Sequence, residues 1–241
     1  MKKKTIVLTT GLALLAVIAL MCAPKFFNSH RRTAGFVPNL HSVTEDLSRA
    51  DSKAILTEDS YEKIRTYCQS RNMNDKVFIL IDYKIPSNRN RLFVIDAENK
   101  EVLYKSLCAH GLGGGSTPAV PVFSNEPGSN CSSLGAFEIS EYYKMPRFRN
   151  EYSFRLKGHD HTNHHAYYRG IMIHGSGTVD KAQAKQHPKL LPMNKTSEGC
   201  PVVTHQMVRN IKTVYDRQDN KRVLVLAIYE LPSDNPKEIN S

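Results

Sequence analysis

From Lys76 to Tyr229 the apolar positions fall mostly into short runs parted by turn residues, the pattern of strands rather than of long helices. Val77 to Tyr83 is a nearly continuous apolar run suited to a buried strand, and Arg91 to Asp96 and Val102 to Ala109 follow it. The turn-like links Ser87-Asn88-Arg89-Asn90 and Glu98-Asn99-Lys100 join these three into two consecutive hairpins. Ala136 to Ser140, Phe154 to Leu156 and Ile171 to His174 read as short strands, and Val223 to Tyr229 as an all-apolar central one. Two helices break the pattern. One runs from Ser60 to Ser70, with Asp59 as its cap and Tyr61, Ile64, Tyr67 and Cys68 recurring at three and four. The other starts at Thr204 and carries Met207, Val208, Ile211, Val214 and Tyr215 on one face. Many strands with few helices predict a mainly β sandwich or barrel with a few flanking helices. Between them Gly111 to Leu134, with Gly113-Gly114-Gly115 and three prolines, reads as a long surface loop.

Two segments carry candidate chemistry. Tyr168-Arg169-Gly170-Ile171-Met172-Ile173-His174-Gly175 ends a strand in a histidine, and Ser197-Glu198-Gly199-Cys200-Pro201-Val202-Val203 places a cysteine behind a glycine. A thiol needs a base to become a thiolate at neutral pH, and a histidine at the end of a buried strand suits that task. Gly199 permits unusual dihedrals, so amides near Cys200 can converge on a developing oxyanion, with the Ser197 hydroxyl as a further donor and Gly175 as support. The plain alternative makes Cys200 a small buried hydrophobe and His174 a satisfied core residue.

The order of these motifs resembles the YkuD-type L,D-transpeptidases, in particular the murein L,D-transpeptidase catalytic domain subfamily with its Gly-Cys-Pro motif. Phe78-Ile79-Leu80-Ile81-Asp82-Tyr83, Arg91-Leu92-Phe93-Val94-Ile95-Asp96, Ala109-His110-Gly111, Phe123-Ser124-Asn125, Gly128-Ser129 and Ser132-Ser133-Leu134-Gly135 extend the resemblance from about Glu58 to Tyr229. It implies a YkuD-like β-sandwich or barrel and a Cys200 acyl-enzyme formed with His174 as base on peptidoglycan stem peptides, with no cofactor. It equally allows an L,D-carboxypeptidase, which shares the acyl-enzyme and differs only in whether water or an amine accepts the acyl group. The loop from Gly111 to Leu134 becomes a substrate lip, with His110, Ser132 and Ser133 as its residues of interest. Many relatives carry an Arg two residues after the cysteine, where this chain has Val202. Arg169 is a candidate substitute, but if Arg169 to His174 is all strand, alternation puts the two side chains on opposite faces.

The rest of the chain sets the context. Lys2-Lys3-Lys4 precede an apolar run from Ile6 to Ala23 broken only by Thr9, Thr10 and Gly11, so residues 1–23 read as a signal peptide or an uncleaved membrane anchor. Met21, Cys22 and Pro24 make a poor cleavage site, which favours the anchor, and both readings place the domain outside the cytoplasm. Residues 24–57 read as a polar linker with one short helix from Thr44 to Ala54, residues 58–232 as the catalytic domain and 233–241 as a tail. A formal net charge of +10 then suits stem carboxylates, anionic lipid headgroups or acidic polysaccharide. No basic stripe interleaved with aromatics and no zinc-finger spacing points to nucleic acid.

Two features stand apart from this reading. His159, His161, His164 and His165 crowd seven residues and raise a metal-binding alternative, although Gly158, Thr162 and Asn163 suggest a loop. A wall-binding module without turnover is a further alternative, which the joint presence of Cys200 and His174 argues against. Cys108 and Cys131 bracket the lip and allow a disulfide in an oxidising compartment, while Cys68 shares a helical face with Ile64.

Overall fold

The computed structural model describes residues 56–146, 151–179 and 197–229. The 1–23 segment, the Thr44 to Ala54 helix and the 233–241 tail lie outside the described residues. Among the described residues no helix is long and apolar enough to cross a membrane.

Among the described residues nine strands form one sheet: β1 (Val77–Asp82), β2 (Leu92–Asp96), β3 (Glu101–Ser106), β4 (Cys108–Ala109), β5 (Gly135–Met145), β6 (Glu151–Gly158), β7 (Met172–Gly175), β8 (Val202–Val203) and β9 (Leu224–Ile228). Their order is β3-β2-β1-β9-β5-β6-β7-β8-β4. β3 and β4 lie at opposite ends of that order, yet Leu107 alone separates them in sequence. The sheet therefore curls until its two edges nearly meet, the mainly β, barrel-like architecture with flanking helices that the strand pattern predicts. The predicted hairpins form: β1 pairs antiparallel with β2, and β2 with β3. β1 and β9 pair in parallel at the centre.

β1 is buried along its whole length because both of its faces are covered. Val77, Ile79 and Ile81 face one core with Met207, Val208 and Ile211 of the helix α2 (His205–Asp216). Phe78 and Leu80 face a second core with Tyr61, Ile64 and Cys68 of the helix α1 (Glu58–Ser70). A period of two thus serves two cores, which is why the strand reads as a continuous apolar run. Both of the described helices are capped by threonine. Thr204, the residue at which the sequence predicts the helix to start, accepts from Met207 N, whereas α1 begins two residues earlier than Asp59 as cap implies, with Thr57 accepting from Ser60 N. The larger departure is the β5–β6 hairpin, whose strands run 11 and 8 residues rather than two short pieces. Its outer half, beyond a register shift between Ile139 and Glu141, is exposed at Ser140, Glu141 and Tyr142 and so carries no apolar alternation.

Candidate active site

β7 and β8 are parallel neighbours, with His174 opposite Val202 and Gly175 opposite Val203. This pairing brings the histidine strand beside the turn Ser197–Cys200 that leads into β8. His174 is buried, and its Nδ1 lies 3.2 Å from Gly175 O. That carbonyl can only accept, so Nδ1 carries a proton in this contact. Gly175 is needed for packing: a Cβ there would lie 2.6 Å from His205 Nδ1, at the start of α2.

Cys200 is partly exposed, and its Sγ lies 3.9 Å from Gly170 O at the approach to β7. The turn before it is tightly bonded. Ser197 Oγ donates to Cys200 O at 2.6 Å and accepts from Gly199 N at 3.0 Å. The Ser197 hydroxyl and the Gly199 amide, expected as oxyanion donors, are here engaged within the turn and hold its shape. Gly199 has φ +119°, and a Cβ would lie 2.7 Å from Cys131 O, so backbone conformation and space both require glycine.

The lip lies against this turn. Leu112 N donates to Ser197 O at 3.1 Å, and Ser132 Oγ donates to Gly199 O at 3.0 Å while accepting from Gly111 N at 2.9 Å. Ser133 Oγ donates to Ser124 O at 2.9 Å. His110 sits at the root of the lip, buried, with Nδ1 accepting from Arg91 Nη2 at 2.8 Å and Nε2 donating to Thr117 O at 3.0 Å. Burial and the Arg91 cation push its pKa down to about 4, so it is a neutral strut. Ser132, Ser133 and His110 are thus fastenings of the lip.

The sequence reading missed Arg91 and misplaced Arg169. Arg91 is fully buried, donating from Nε to Cys108 O at 2.6 Å and from Nη1 to Ile85 O at 3.2 Å. A charged residue opening an otherwise apolar run was the signal available. Arg169 does not belong to a strand, because β7 begins only at Met172, so the alternation argument against it does not apply. Its Nη1 donates to Ser133 Oγ at 2.7 Å and Ser124 O at 2.9 Å, and its Nη2 to Cys131 O at 2.6 Å.

The histidine-rich segment is bonded to the lip at Asn125. Asn125 of the lip donates to His161 O at 3.0 Å, and its Oδ1 accepts from His165 N at 3.1 Å. His165 Nδ1 donates to Asn125 O at 3.1 Å, and His159 Nε2 lies 3.4 Å from Glu138. Asp160 accepts from Ala136 N at 2.7 Å. Among the described residues no group of three or more His, Cys, Asp or Glu side chains is placed to hold a metal ion. The described cysteines are free, so Cys108 and Cys131 form no disulfide. Cys108 Sγ points to Ala109 O and Cys131 Sγ to Ser129 O, each on its own segment. A polar cavity of about 340 Å³, lined by Met73, Asp96, Arg217 and Asn220 among others, opens at the Val77 end of β1. Tyr83, whose electrostatic partners include Cys200, follows the other end of that strand, so the cavity lies apart from the thiol.

Comparison with known proteins places the chain in a family. No curated protein matches the chain. Among solved structures, an L,D-transpeptidase from Xylanimonas cellulosilytica is 13% identical over 63% of this chain and 60% of its own, with a TM-score of 0.35. The avibactam carbamoyl enzyme of Ldtfm is 10% identical over 64% of this chain and 49% of its own, with a TM-score of 0.36. The chain thus spans about half to three fifths of the length of these two proteins. The family described as L,D-transpeptidase catalytic domain matches residues 50–225, most of the chain, and the chain belongs to that family.

Proposed function

We propose that the chain is a cysteine-dependent L,D-transpeptidase of the cell envelope that joins peptidoglycan stem peptides. Cys200 is the nucleophile and His174 its base. The observation that carries this reading is the parallel β7–β8 pairing, which sets the histidine strand beside the cysteine turn within a domain of this family. His174 Nε2 takes the Sγ proton, and the thiolate attacks the carbonyl of the L-centre of a diamino acid in a stem tetrapeptide. The Cys200 amide faces the oxyanion that forms. Collapse breaks the amide bond to D-Ala, whose nitrogen takes the proton from His174, and leaves a thioester on Cys200. The amine of a second stem then attacks the thioester and gives up a proton to His174, the cross-linked product leaves, and the imidazolium returns that proton to the released thiolate, restoring the thiol. The Gly175 carbonyl steadies the imidazole through both steps, in the place a carboxylate takes in other triads.

The catalytic unit in this proposal is residues 58–232, carried on the 24–57 linker. The 1–23 segment places it on the outer side of the membrane, as a signal peptide or an anchor. The net charge of +10 favours the acidic stems.

The test is incubation of the full chain with disaccharide tetrapeptide, followed by mass spectrometry. A product equal to two stems less one D-Ala supports transfer, whereas a tripeptide alone assigns carboxypeptidase. Cys200→Ala and His174→Ala should each lose acylation and keep the fold. Labelling by a carbapenem that persists in Cys200→Ala overturns the assignment.

A further inference from the structure

We propose that Arg169 is a positioning residue for the thiol: its guanidinium, pinned by lip acceptors beneath the Gly199–Cys200 turn, holds Cys200 in the thiolate form. The inference rests on Cys200 being the nucleophile and goes beyond that reading by naming the cation that serves it.

Three observations converge on this group. First, all three acceptors that hold the guanidinium, Ser124 O, Ser133 Oγ and Cys131 O, are uncharged and belong to the lip. Among the described residues the arginines in ion pairs are Arg65, Arg155, Arg209 and Arg222, and Arg169 is not one of them. A half-buried cation without a paired carboxylate is costly, and its positive potential is left for whatever lies next to it. Second, what lies next to it is the nucleophile turn. A Cβ on Gly199 would stand 2.9 Å from Arg169 Nη2, so the absence of a side chain lets the guanidinium rest against the residue preceding Cys200. Third, burial pushes the Arg169 pKa down, while Cys131, Cys200 and Glu126 act to raise it. Coulombic coupling is mutual, so a cation supported by the Cys200 thiolate supports that thiolate equally.

The charged and titratable groups around Cys200 divide by element. His174 comes from β7, Tyr83 from the end of β1, Cys131 from the lip, and Glu198 from the turn itself. Glu126 on the lip acts on Arg169. Among these described groups and Arg169, Arg169 alone carries a fixed positive charge. Its donors give it a double role: one side chain fastens the lip and polarises the thiol.

The competing possibility is that Arg169 is a clamp for the lip and nothing more. Alkylation of Cys200 by iodoacetamide, followed against pH at low ionic strength on the full chain with peptide mapping, separates the two. Arg169→Gln should move the midpoint of the pH profile up by about one pH unit and slow alkylation below the midpoint about tenfold. Arg169→Lys should recover most of the loss. A clamp alone would lower the melting temperature of Arg169→Gln and leave the midpoint in place, and that result overturns the proposal. Should Arg169→Gln fail to fold, Glu126→Gln reads the same electrostatics from outside the clamp. It should move the midpoint down by a few tenths of a pH unit, and an unmoved midpoint overturns the proposal. The profile reads the thiol and not the transfer. A chain that alkylates as expected but leaves stem peptides intact therefore refutes the proposed function and not this inference.

Discussion

Acidification sets two groups around Arg91 against each other. His110 accepts from Arg91 Nη2 through Nδ1, and a proton on that nitrogen would face the guanidinium. Its folded pKa of about 4 lies below the ordinary 6.5, so the unfolded chain binds the proton more readily. The stability this contributes is present above pH 6.5 and is lost as the pH falls through 4. Asp82 has the opposite sign. Burial raises its pKa from 3.8 to about 6, against the pull of Lys84 and Arg91, so its contribution is full below 3.8 and lost as the pH rises through 6. Between about pH 7.5 and about pH 5 the two proton equilibria give a loss of about 2 kcal/mol from His110 and a gain of about 1 kcal/mol from Asp82. The wild-type chain should therefore lose about 1 kcal/mol over this range. Asp82→Asn removes the gain, and its stability should fall by about 2 kcal/mol over this range, whereas His110→Asn should rise by about 1 kcal/mol. Each variant is compared with itself at two pH values, so the fixed cost of the substitution cancels. Urea unfolding followed by far-UV circular dichroism provides the measurement. Two variants that both follow the wild-type curve would refute the assignment of these charges.

Two further predictions concern the nucleophile turn and the thiols. Gly199→Ala must place a side chain at φ +119° and 2.7 Å from Cys131 O, so it should cost about 2 kcal/mol or more and slow Cys200 alkylation. A wild-type melting temperature in that variant would show that the turn is not built as described. Denaturing alkylation of the unreduced chain should recover Cys108 and Cys131 as separately modified peptides, and a cross-linked pair would contradict the free thiols.

How much of this was legible in the sequence depended on how each element meets solvent. β1 and β9 were readable because both faces are buried, and α2 because its five predicted apolar positions are its buried ones. The long β5–β6 hairpin was not, since its outer half stands in water and its pairing is held by backbone bonds that leave no mark on side-chain polarity. The near-closure of the sheet was also invisible. It depends on the single residue Leu107 passing the chain from one edge to the other, a tertiary event with no local pattern.

Legibility at the site followed the same physics. The Gly-Cys-Pro turn and the His-Gly strand end announced themselves because each needs a glycine, at Gly199 for conformation and at Gly175 for close approach. Arg169 was set aside on strand alternation carried three residues upstream of where β7 begins. Alternation is a property of paired backbone and lapses where pairing stops. Residues 161–170 are turns, and there a side chain's direction is set by where its polar end finds acceptors. For Arg169 those acceptors are the lip carbonyls at Ser124 and Cys131 and the Ser133 hydroxyl, all distant in sequence. A motif that is local can thus be read from the chain, while the position of the Arg169 guanidinium is set only by the fold.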